Sequence, residues 1–258
     1  MLKGHYLLAA IAATTFSALA QAEDFYLSGN IGYSDMDNVS TSGSFSSDFT
    51  TGPGTDIPAG TVLPAGTDVG LNTSVDSGSA IGFSLGWQTN QLRFEVEFAR
   101  VQNDVESHRG VSASDIPLGG EDAGVLVSGA PDNLGISVSE LVASGQGEFR
   151  TDYLFLNVLY EFATDWVLNP YIGAGIGNAW VDVDYSPSGV AIIDDDDSVL
   201  AHQLMAGLDY ELNQQLSFYG GLRWRQTDKV EVDADLFDAQ FEVEVDSLIA
   251  EIGTRWLF

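Results

Sequence analysis

The chain has 258 residues, 45% of them apolar, with 9 basic residues against 38 acidic ones and a formal net charge of −29. That length suits one barrel or sandwich, or two small domains. The charge argues against nucleic acid and against the anionic face of a lipid bilayer as partners, and it leaves room for cations. With no cysteine, the fold rests on packing and hydrogen bonding rather than on disulfides.

The N-terminus comes first. Lys3 and His5 precede the apolar stretch Leu7-Leu8-Ala9-Ala10-Ile11-Ala12-Ala13, and Ala20-Gln21-Ala22 closes it. A charged start, a short apolar core and a small-x-small end predict a secretory signal peptide over 1–22, with 23–258 as the mature chain. The stretch falls short of the ~20 apolar residues of a membrane helix, and no cysteine is available for lipid attachment.

Eight runs of period-two alternation follow, each predicting a strand with two unlike faces. Phe25, Leu27, Ile31 and Tyr33 share one parity, with Tyr26, Ser28 and Asn30 on the other. Ile81, Phe83, Leu85 and Trp87 alternate with Gly82, Ser84, Gly86 and Gln88. The clearest run sets Leu92, Phe94, Val96 and Phe98 against Arg93, Glu95 and Glu97. The fourth opposes Leu154, Leu156, Val158, Tyr160 and Phe162 to Asn157 and Glu161; the fifth opposes Leu168 through Ile176 to Tyr171 and three glycines. The sixth carries Leu204, Ala206, Leu208 and Tyr210 against Gln203, Asp209 and Glu211. The seventh carries Leu216, Phe218, Leu222 and Trp224 against Tyr219, Arg223 and Arg225. The last carries Leu248, Ala250, Ile252, Trp256 and Phe258 against Glu251, Gly253 and Arg255.

A soluble sandwich also alternates. Three features favour a membrane-spanning, antiparallel, up-and-down barrel of eight strands. Trp87, Trp166, Trp180, Trp224 and Trp256 take the apolar parity, most of them near run ends, where aromatic girdles meet the membrane interfaces. The opposite face carries charges of both signs together with glycine. Short links after the second, fourth and sixth runs alternate with long polar connections at about 34–79, 103–146, 184–197 and 228–240. Within the second of these, 124–127 and 135–142 read as a small hairpin; were they to cross the membrane, the count would be ten. Val230–Asp233 and Phe241–Asp246 read as strands projecting beyond the bilayer.

The segments Pro170–Gly177, Gly207–Leu212 and Gly221–Trp224 and the ending on Trp256 and Phe258 resemble the outer-membrane barrel family that includes the OmpA-like transmembrane domain and the opacity-type surface proteins. The resemblance spans the mature chain. It implies an outer-membrane location, recognition of Trp256 and Phe258 by the barrel-assembly machinery, periplasmic chaperones, and a setting of lipid and lipopolysaccharide. No peptidoglycan-binding domain is expected after Phe258.

The expected role is structural, with loops that contact an extracellular ligand, and the chain is read as a monomer. Arg93, Glu95, Glu97, Glu161, Asp209, Arg223, Arg225, Glu251 and Arg255 are expected to form an ion-paired network that plugs the lumen, since unpaired buried charge is costly. The alternative is a narrow ion-selective channel. A loop- or rim-sited enzyme comes third: His108, beside Ser107, and His202 form no triad pattern, and no G-x-S-x-G is present. No cofactor is expected. Asp194, Asp195, Asp196 and Asp197 read as a solvated acidic tip, with weak calcium or magnesium binding as the alternative.

Overall fold

A computed structural model describes residues 25–143, 146–186 and 192–258. The expected signal peptide, 1–22, lies outside the described residues. The strands are β1 (Phe25–Met36), β2 (Val39–Phe45), β3 (Phe49–Thr50), β4 (Val62–Leu63), β5 (Asp68–Val75), β6 (Gly78–Thr89), β7 (Leu92–Ala113) and β8 (Ile116–Pro117). After a 3-10 turn (Ala123–Leu126) and a short helix α1 (Val138–Val142) come β9 (Gly147–Glu161), β10 (Asn169–Tyr185), β11 (Ile193–Glu211), β12 (Leu216–Thr227), β13 (Val230–Asp233), β14 (Ala239–Val243) and β15 (Asp246–Leu257).

The architecture is an all-β, antiparallel, barrel-like sheet. Its strand count exceeds the expected eight: thirteen strands share one sheet, and β3 and β4 form a separate pair. The pairings make a circuit from β1 through β6, β7, β9, β10, β11, β12 and β15 back to β1. A branch leaves β7 and runs through β5, β2 and β14 to β13. The extra strands occupy connections expected to be loops. Short turns, the first described residue Phe25 and the C-terminal Phe258 sit at one end of the circuit, where the Phe258 N–H donates to the Phe25 carbonyl at 2.9 Å; we call this the terminal end, and the opposite one the far end.

The long strands reverse their apolar parity partway along. In β7 the outward residues run Leu92, Phe94, Val96, Phe98, then Arg100, Gln102, Asp104 and Glu106; the inward ones run Arg93, Glu95, Glu97, then Ala99, Val101, Asn103 and Val105. The in–out alternation is unbroken across the switch, so the strand is continuous and only its surroundings change. Outside, an apolar belt gives way to charge: Arg100 is bidentate to Asp152 at 2.7 and 2.6 Å on the exposed surface. Inside, charge gives way to a hydrophobic core that includes Phe149, Tyr153, Phe155, Val181, Val183, Tyr185, Val230, Val232 and Phe241. On β10 the outward belt runs from Pro170 to Trp180, close to the ~9–11 residues of a tilted membrane strand.

Two further expectations are corrected. In place of a hairpin, the 124–127 and 135–142 pieces carry the 3-10 turn at Ala123–Leu126 and the helix at Val138–Val142. Ser137 caps α1 in a capping box: its Oγ accepts the Glu140 N–H at 3.2 Å, and Glu140 Oε2 accepts the Ser137 N–H at 3.1 Å. Asp194 to Asp197 lie within β11, paired with Asp184 to Val181 of β10, and not at a loop tip.

Candidate functional site

The inward face of the circuit brings all nine expected network residues together, each no more than 8% exposed. They form two layers. Nearer the terminal end, Arg93 and Arg255 straddle Asp209 and Glu161. Each guanidinium lies 3.1 Å from Asp209 Oδ2 and 3.5 Å from Glu161 Oε2. Arg93 also lies over the Tyr171 ring and Arg255 over the Tyr26 ring, at 4.9 and 5.5 Å.

The second layer centres on Glu97, which is fully buried. Its Oε2 takes Arg223 Nη1 at 2.6 Å and its Oε1 takes Arg225 Nη2 at 2.7 Å. Arg223 Nε reaches Glu251 Oε2 at 2.7 Å. Asn157 and Gln203 also donate to Glu97, at 2.7 and 2.9 Å, and the Gln203 carbonyl accepts Arg225 Nε at 3.0 Å. Between the layers, Glu95 makes no salt bridge among the described residues. It accepts the Tyr26 hydroxyl at 2.7 Å and Asn157 at 3.4 Å.

Sequence reasoning placed Tyr26, Asn157 and Gln203 on the polar face but not in the network, although they share its parity. The inward glycines make room for rings. A Cβ on Gly86 would overlap the Tyr26 phenol, and one on Gly253 would overlap Tyr219. The five tryptophans face outward and are exposed. Trp87, against Phe94 at 5.7 Å, lies with Trp166 and Trp256 toward the terminal end; Trp180 and Trp224 mark the opposite edge of the belt.

Above the charged layers the interior is apolar. Arg225 lies over Tyr153 and Phe155, at 4.9 and 5.6 Å, where the two zones meet. At the far end the β5–β7 wall, the 3-10 turn and α1 border a partly open cavity of about 220 Å³. Phe45, Phe49, Phe237 and Phe241 bound one side, Leu71, Val111, Tyr185 and Ile193 another, and Ile57, Val125, Leu126 and Val142 the roof. The roof is fastened by carboxylates. Glu121 accepts the N–H groups of Asp56 and Ile57 at 2.9 and 3.2 Å. Asp122 accepts those of Gly124, Leu134 and Gly135 at 2.7–2.9 Å, and these amides hold its carboxyl below the ordinary range.

His108 is in the cavity wall. Its Nδ1 meets Thr73 Oγ1 at 2.9 Å, its ring packs edge-on against Tyr185, and burial holds its pKa down to about 4. His202 faces outward, 3.0 Å from Gln226. Asp195 and Asp197 accept the backbone N–H groups of Asp233 and Glu231 at 2.9 and 3.1 Å; these two bonds lie between Asp235 N–H to Ile192 carbonyl and Asp228 N–H to Leu200 carbonyl, at 2.8 Å each. The seam between β11 and β13 is thus closed partly by side chains. Among the described residues no cluster of three or more His, Asp or Glu is arranged to hold a metal ion.

An apolar belt around a charged, ion-paired interior defines a class: this is a structural outer-membrane β-sheet protein whose interior is stabilised by buried salt bridges rather than left as an open channel. The chain belongs to the outer membrane protein beta-barrel domain family, whose model matches residues 6–246. Its setting is that of the class, an outer membrane with lipopolysaccharide and insertion by the barrel-assembly machinery. Among solved structures it is similar to OprG from Pseudomonas aeruginosa, at 18% identity and TM-score 0.54, covering 92% of this chain and 96% of that one. It is also similar to neisserial surface protein A, at 16% identity and TM-score 0.44, covering 91% and 97%. At such identities the likeness is one of fold. No curated protein matches the chain.

Proposed function

We propose that the circuit β1, β6, β7, β9–β12 and β15 is the membrane-crossing barrel, that its far end faces the cell exterior, and that the protein acts as a non-catalytic, monomeric element of envelope structure and surface contact. The single observation that carries this reading is the two-layer ion-pair network. All four inward arginines are bonded to carboxylates, and an apolar core covers the network on the far side. An interior just wide enough for its side chains leaves no role in bulk solute flow.

The far-end strands then form a rigid acidic surface, and the nine network residues serve as structural ties. Its partners would be lipopolysaccharide, through bridging divalent cations, and extracellular ligands that meet the rim; chaperones would escort the chain through the periplasm. A catalytic role lacks support in the geometry. His108 is buried against Thr73 and Tyr185, and His202 contacts Gln226.

The test is conductance of the refolded protein in a planar bilayer. Silence is expected from the wild type, and stable ionic steps from an Arg223→Ser/Arg225→Ser variant that has lost the second layer. Stable steps from the wild type would establish the channel alternative.

A further inference from the structure

The far-end cavity is unused by the structural role. Its volume, about 220 Å³, exceeds the ~150 Å³ of an engineered apolar cavity that stays dry and takes up benzene. A void of that size in a structural core forfeits packing, by ~24 cal/mol per Å³ in large-to-small core substitutions, so a role restricted to packing would favour filling it. Larger residues could do this at Gly70 and Ala113, which both line the space. The roof instead spans the cavity, pinned at Glu121 and Asp122.

We propose that this cavity is a binding site for one small, uncharged, predominantly apolar molecule of about the size of a single aromatic ring with substituents. The wall is almost wholly apolar and would reject an ion, because a buried charge there has no countercharge. The His108 Nε2 and the Tyr185 hydroxyl are buried behind the wall rather than exposed in the space, and His108 Nδ1 is engaged by Thr73 Oγ1, so among the described residues the wall offers a ligand no free polar group. Hydrocarbon-like molecules therefore fit it better than ligands carrying a hydroxyl or a ring N–H. The proposal goes beyond the structural role and stands whether or not the barrel conducts.

The experiment is methyl NMR of the full mature protein in lipid nanodiscs, titrated with toluene and with indole. Methyl signals of Leu71, Val111 and Ile193 are expected to shift and saturate, more steeply with toluene. Those of Leu156 and Ile252 on the lipid-facing belt should shift linearly as the probes partition into lipid. Ala113→Phe and, independently, Leu71→Trp fill the space and should abolish saturation, with folding of each verified by its heat-modifiable gel mobility. Cavity methyls that follow the same linear course as Ile252, or saturation that survives in a folded filled variant, would overturn the proposal.

Discussion

At the scale of single residues, Glu97 is the position on which the interior most depends. Among the described residues it is the one carboxylate that binds two arginines through separate oxygens, and it accepts two amides besides. Removing one partner of a buried pair strands the rest as uncompensated charge, at a cost of ~3–5 kcal/mol. Glu97→Ala should therefore destabilise the refolded protein by that margin in urea titrations read by tryptophan fluorescence. Half-buried Asp152, whose partner Arg100 is exposed to solvent, should cost ~0–1 kcal/mol on the same substitution. A loss at Glu97 no larger than at Asp152 would mean that the network does not hold the barrel. The charged members were legible in the sequence because they interrupt an apolar alternation. Tyr26, Asn157 and Gln203 were less so, since uncharged polar residues on an inward face look like filler until a carboxylate is seen opposite them.

At the scale of elements, the length of β7 was the feature hardest to read. The alternation that ends at Phe98 resumes at Ala99 with its parity inverted, and a search for one apolar face stops there. The physical reason is a change of solvent. Lipid outside makes the outward face apolar, and water outside makes the inward face apolar. The same inversion in β10 and β11 placed 184–185 and 193–197 in an expected loop. Val230–Asp233 and Phe241–Asp246 escaped this because Val and Phe there alternate with Glu and Asp, in continuation of the seventh and eighth runs. The S-x-x-E signature at Ser137–Glu140 was readable as a helix start, and the apolar 138–142 segment hid it. The β11–β13 seam was beyond sequence reasoning, because nothing in four successive aspartates says that two of them accept backbone amides. Asp195→Ala/Asp197→Ala should speed hydrogen exchange at the amides of Glu231 and Asp233 by roughly tenfold or more, given ~1.5–3 kcal/mol per bond to a charged acceptor. The Asn double variant should stay closer to wild type. Equal exchange in all three proteins would show that the seam is held by β14 alone.

At the scale of the whole molecule, two solvents act on one continuous wall, and substitutions should report the boundary between them. Leu156 sits in the mid-belt and Gln102 beyond the Arg100–Asp152 pair. Leu156→Arg should cost ~2–4 kcal/mol of folding stability in lipid vesicles, and Gln102→Arg ~0–1. Similar costs at the two positions would contradict a membrane boundary at Phe98. The far end, built as a packed ring with a pinned roof, also decides where foreign sequence can be carried. Its hydrogen-bonded strands leave little room for change, but the turns at Gly60, Gly66 and Gly129 hold left-handed backbone in open space, and a Cβ added at any of the three would meet nothing within 4 Å. Peptide cargo grafted at those tips would ride on a rigid pedestal with its two ends close together, making this barrel a natural scaffold for displaying epitopes on a cell surface.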